Sequence, residues 1–133
     1  MKTSLETILP GELRERLERS LGADIGAVRV RTGPIADFLC RHTRASAVTI
    51  GDTIWFSKGA LNVSTDVGRW LLAHELIHVL QNRLYPSQPR YFFSGEADES
   101  EREAYALAER VLAGERVTVR ATPQAWMHSA GAQ

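Results

Sequence analysis

Trp70-Leu71-Leu72-Ala73-His74-Glu75-Leu76-Ile77-His78-Val79-Leu80-Gln81-Asn82 is an apolar run with an HExxH motif at its centre. On a helix of ~3.6 residues per turn, side chains four apart stand on one face, so His74 and His78 can reach one ion. Glu75 projects to the side, where it can meet a water on that ion. Imidazole suits zinc, and Zn2+ with one open position turns water into a nucleophile. Thr65 or Asp66 offers an N-cap, and the helix should run to about Arg83. Trp70, Leu71, Leu72, Leu76, Ile77, Val79 and Leu80 make it apolar nearly all round, so it should be buried.

Catalytic zinc usually takes three protein ligands, and HExxH supplies two. In the elongated HExxHxxGxxH pattern a third histidine would stand at position 84, which is Leu84, with Gln81 in the glycine position. His42 and His128 stand in segments that offer no other site chemistry. The acidic stretch Gly95–Gly114 should form a helix, with Ala104, Leu107, Ala108, Val111 and Leu112 on its packing face. Of Glu96, Asp98, Glu99, Glu101 and Glu103, only Glu101 falls on the stripe of Ala104 and Ala108, with Tyr105 one turn on as an inward partner. Glu103 is turned by ~200° from Glu101, so both cannot face one ion; Glu99 and Glu103 are read as solvated. The competing reading makes all five acids a wet face and partners of the helix dipole.

Outward from this centre, the expected class is α+β, with a small antiparallel or mixed sheet against the HExxH helix and the glutamate helix. Val28–Arg31 alternates as a strand, and Ala47–Phe56 reads as a hairpin turning at Gly51-Asp52. Ser4–Leu21 is expected to be helical, broken at Pro10-Gly11, with Leu13, Leu17 and Leu21 as its packing stripe and its arginines and glutamates in solvent. Ile35–Arg44 should be a helix with Ile35, Phe38, Leu39 and His42 inward. Arg116–Arg120 is a candidate strand in a tail (115–133) whose end is expected to be disordered. The whole chain, 1–133, is expected to be one domain with its core at about 21–114.

Sixteen basic and sixteen acidic residues cancel, so there is no basic footprint for nucleic acid. No apolar run reaches the ~20 residues that insert into a membrane. The single cysteine, Cys40, excludes an internal disulfide and should be a core thiol. No apolar segment follows Met1-Lys2-Thr3-Ser4, so the expected location is cytoplasmic, or reached by delivery without a signal peptide.

Together, HExxH and a later glutamate resemble the gluzincin metallopeptidases. More narrowly, Val28-Arg29-Val30, Ala47-Val48-Thr49-Ile50-Gly51, Ile54-Trp55-Phe56, Gly68–Gln81 and Glu101-Arg102-Glu103-Ala104 are similar to the eCIS core domain, a metallopeptidase family associated with extracellular contractile injection systems. The resemblance implies a minigluzincin fold and a zinc peptidase with His74, His78 and Glu101 as ligands and Glu75 as general base. It places Tyr105 where relatives carry an acid that buttresses a zinc histidine. Arg31 and Asn82 stand where relatives often have His and Gln. The implied partners are a protein or peptide substrate, injection-system components or a toxin. Substrate would lie extended along one strand of the Ala47–Phe56 hairpin, and Tyr85, Tyr91 and Tyr105 are candidates to steady the oxyanion. The alternative is a zinc-stabilised assembly module with little hydrolysis.

Overall fold

The computed structural model of the chain describes residues 5–84, 91–93 and 99–120. Helix α3, Asp66–Leu84, runs through the middle with everything from Leu72 to Asn82 buried. Its all-round apolarity demands cover on every side, and two layers provide it. One is a mixed five-stranded sheet and the other is α4, Glu99–Leu112, which makes the most extensive helix–helix interface with α3.

In chain order the elements are β1 (Leu5–Thr7), α1 (Gly11–Leu21), β2 (Arg29–Thr32), α2 (Pro34–Thr43), β3 (Ala47–Ile50), β4 (Thr53–Phe56), α3, β5 (Tyr91–Phe93) and α4. The sheet order is β1-β2-β4-β3-β5. β2 and β4 are parallel, connected through α2 and β3; every other pair is antiparallel. β3 and β4 form the expected hairpin, turning through Gly51 at φ 61°, a left-handed conformation that glycine adopts without strain.

Alternation sorts the two faces of the sheet. Ala47, Ile54 and Phe56 join Leu72, Leu76 and Ile77 in the main core, and Thr49 points the same way to meet Glu75. On the opposite face Val48 lies across from Trp55, below α2. There the orientation differs from expectation. Ala36 and Cys40 are buried, whereas Ile35 (40% exposed), Phe38 (57% exposed) and His42 face solvent. The small side chains let α2 approach β4 closely enough for the Cys40 thiol to meet the Trp55 carbonyl at 3.6 Å.

The helix expected over 4–21 begins only at Gly11. Leu5–Thr7 instead pairs with β2, whose outer edge is open to a strand, and Pro10 ends the extended stretch. Arg116–Arg120 is not a strand; the Val117 amide donates to the Ser20 carbonyl at 2.8 Å and Val117 fills a gap beside α1. α3 starts as its sequence implies, with the Thr65 hydroxyl accepting from the Gly68 amide at 3.0 Å. At Gly68 the 57–65 loop crosses the helix so closely that a Cβ would stand 1.8 Å from the Asn62 carbonyl oxygen. Among the described residues, no helix is long and apolar enough to cross a membrane.

Candidate metal centre

His74 and His78 present their Nε2 atoms 3.2 Å apart, one turn apart on α3. Glu101, in the first turn of α4, places Oε1 2.5 Å from His74 Nε2 and Oε2 3.2 Å from His78 Nε2. Ligand-capable atoms from all three lie within 4.8 Å of one another, and all three side chains are buried. A tetrahedral ion with bonds of ~2.0–2.1 Å holds its ligands ~3.3 Å apart, so the pair of imidazoles fits one without rearrangement. A dry group of two imidazoles and a carboxylate can hold a metal ion.

The electrostatics follow from that burial. Desolvation pushes Glu101 up, but hydrogen bonds to His74 and His78 outweigh it and hold the carboxyl at about 2. Desolvation pushes His78 down, yet the hydrogen bond to Glu101 and the charges of Glu75 and Glu101 leave it raised. Glu75 is raised, because its desolvation exceeds the help it receives from His78, His74 and Thr49.

Two neighbours that the sequence reading did not single out fix the orientation of this group. The Thr49 hydroxyl donates to Glu75 Oε1 at 2.6 Å, which leaves Oε2 on the side of His74, 4.0 Å from its Nε2. Gln81 spends its amide donors on the Ser100 carbonyl (2.9 Å) and Glu103 Oε1 (2.8 Å). Its Oε1 therefore accepts, and His78 Nδ1, 2.7 Å away, must carry a proton. In the neutral form of the ring, that assignment puts the proton on Nδ1 and turns the Nε2 lone pair toward the centre. Glu103 is not solvated as expected: besides Gln81, it accepts from the Arg120 amide at 2.5 Å. The position of Gln81, three after His78 on a buried helix, carried the signal. Thr49 could not be matched to Glu75 without the sheet.

Tyr105 meets His74 edge-on at 4.9 Å between ring centroids and also touches Trp70 at 5.0 Å. Tyr105 is 49% exposed rather than inward, so it supports His74 by packing from the rim, and among the described residues the buried His74 Nδ1 has no hydrogen-bond partner. His42 is stacked on Phe38 at 5.7 Å on α2, across the sheet from α3. Cys40 is buried as expected, and desolvation, with smaller contributions from Asp37 and Glu75, pushes its thiol up to about 11. Glu99 is exposed. Glu96, Asp98, Tyr85, His128 and the Tyr91 side chain lie outside the described residues.

The two departures have structural tasks elsewhere. Arg31 lies 5.8 Å from the Trp55 ring centroid and pairs with Glu6 at 3.6 Å. The Asn82 amide reaches the Gly51 carbonyl at 3.4 Å, tying the end of α3 to the hairpin turn. The hairpin does not offer the free edge expected for a substrate. β4 is flanked by β2 and β3, and Val48–Ile50 of β3 pairs on its other side with Tyr91–Phe93.

Residues 8–85 match the family model of the eCIS core domain, a span that holds Thr49, His74, Glu75, His78 and Gln81 but ends before Glu101. No curated protein and no solved structure gives a match. With more than half of its length inside that match, HExxH included, the chain belongs to the eCIS core domain family.

Proposed function

We propose that the chain is a zinc-dependent metallopeptidase of gluzincin type, working with a contractile injection system or its cargo. The observation that carries this reading is Glu75, a carboxylate held by Thr49 with its second oxygen 4.0 Å from a histidine of the ligand group. A site that only stabilised the fold would need no such base. Zinc bound by His74 Nε2, His78 Nε2 and the Glu101 carboxylate would polarise a scissile carbonyl and acidify a water.

The chain's own residues supply the rest. Glu75 Oε2 takes the proton from the attacking water and delivers it to the leaving nitrogen. Burial raises its pKa, in the direction that strengthens the carboxylate as a proton acceptor. Thr49 aims the carboxylate, and Gln81 keeps His78 in the tautomer that can ligate. Trp70 and Tyr105 wall the His74 side with aromatic surface. The likeness to gluzincins rests on the HExxH helix and the glutamate helix, and the injection-system association on the family.

The test is Glu75→Gln. The variant should keep wild-type zinc content and lose peptide cleavage by about 100-fold or more. Cleavage at the wild-type rate would remove Glu75 from the mechanism. A second reading, a zinc-stabilised assembly module, draws on the near-complete burial of the centre. It predicts zinc-dependent stability with no cleavage in either protein.

A further inference from the structure

Away from the metal centre, α1, the start of α3 and the end of α4 enclose a cavity of about 250 Å³. Its apolar lining includes Leu17, Leu72 and Val111, all buried in the core. Around it stand Arg16, Arg19, Arg69 and Arg116, and among the described residues no carboxylate lines it. Arg69 is committed to the fold, donating to the Val63 carbonyl at 2.8 Å and pairing with Asp66. Arg16, Arg19 and Arg116 are exposed, and among the described residues their side chains have no hydrogen-bond or ion-pair partner. Val111 lies ten positions after Glu101 on α4, ~15 Å at ~1.5 Å per residue.

The chain is neutral overall, with sixteen charges of each sign, so this concentration is a matter of placement. Arg14, on the same helix, pairs with Glu18, whereas Arg16, Arg19 and Arg116 bring three guanidinium groups to the lining of one cavity. A carboxylate is the group that complements them. The cavity is smaller than the ~300–1,000 Å³ of sites that enclose a small molecule, and it suits one anchoring side chain.

We propose that this cavity is a docking site for a protein partner, taking a segment in which an apolar side chain fills the leucine-lined hollow and flanking Asp or Glu carboxylates meet Arg16, Arg19 and Arg116. Guanidinium forks match carboxylates geometrically, and the apolar anchor adds desolvated area that charge alone does not provide. The proposal is independent of the peptidase reading, since none of these residues touches the metal centre.

The test uses the full chain and a fluorescein-labelled peptide with a central leucine pair flanked by aspartates, followed by anisotropy. The wild type should bind it, and should bind a version with serines for the leucines about tenfold more weakly. Combining Arg16→Gln, Arg19→Gln and Arg116→Gln should weaken binding of the leucine peptide about tenfold or more while leaving the melting temperature and zinc content unchanged. Absence of binding by the wild type, equal binding of both peptides, or equal binding by the variant would overturn the proposal. So would a lowered melting temperature in the variant, which would make these arginines part of the fold. Phosphatidylserine vesicles that displace the leucine peptide would replace the protein partner with a membrane surface.

Discussion

Gln81 Oε1 accepts a hydrogen bond from His78 Nδ1 at 2.7 Å, one turn away on the same helix, α3. The same amide donates to the Ser100 carbonyl and to Glu103, and Glu103 in turn holds the Arg120 amide. Gln81 and Glu103 therefore tie α3, α4 and the Arg120 amide together beside one histidine ring.

Gln81→Leu should break this arrangement at both ends. The ring of His78 loses its acceptor, and zinc affinity should fall ~10–100-fold, the usual effect of removing a partner that orients a metal ligand. The buried Ser100 carbonyl loses its donor from Gln81, which should destabilise the fold by about 1–3 kcal/mol. Competition with a chelator measures the first effect and chemical denaturation the second. Unchanged affinity would show that His78 is oriented by packing alone.

Zinc-free and zinc-loaded protein should respond oppositely to pH. His78 and Glu75 both have raised pKa values in the folded state, so the stability each contributes is present below its unfolded value, 6.5 or 4.5, and lost as pH rises through the folded value. From 6.5 upward the contribution of His78 is the one being lost. Zinc requires neutral imidazole and ionised carboxylate, so the stability it adds should grow over the same interval. Melting curves from pH 5.5 to 8.5 should fall with a chelator present and diverge from those with zinc. Parallel curves would mean that the ion, if bound, does not use His78.

At Gly68 the objection to any side chain is steric. A Cβ 1.8 Å from the Asn62 carbonyl oxygen meets backbone, which cannot swing aside as a side chain would. Gly68→Ala should cost about 1–3 kcal/mol by displacing the 57–65 loop from the start of α3, read as a lower midpoint in urea. A midpoint equal to wild type would show that the loop yields freely.

β5 occupies the outer edge of β3, with Phe92 opposite Thr49, the residue that holds Glu75. An extended substrate that pairs with β3 must displace it. Replacing Tyr91-Phe92-Phe93 by three glycines lowers the strand propensity of the segment. It should raise kcat/KM for a peptide substrate severalfold with zinc content unchanged. Lower activity in that variant would make β5 part of the substrate platform.

The parts of this protein written in local sequence are those that depend on spacing along one element. His74, Glu75 and His78 take their relation from the pitch of a helix, and the Thr65 cap and all-round apolarity announce that helix and its burial. The β3–β4 hairpin follows from a turn dipeptide between β-branched runs. Hydrophobicity misjudged α2, because Ala36 and Cys40 bury their face by being small, and Ile35 and Phe38 are left outside. It also misjudged Leu5–Thr7, where the open edge of β2 outweighs local preference.

Rotation about α4 correctly separated Glu101 from Glu103 but called the second solvated, because what lies on that side is Gln81 from another helix. The sequence by itself determined the two histidines, the glutamate beside them and the buried helix that carries them, since all of these are relations within a few residues. Only the tertiary structure decided that Glu101 closes on His74 and His78, that Thr49 aims Glu75, that Gln81 fixes His78, and that three arginines are left around one apolar hollow. Each of those joins residues from different elements, and packing of the sheet and helices sets their distances.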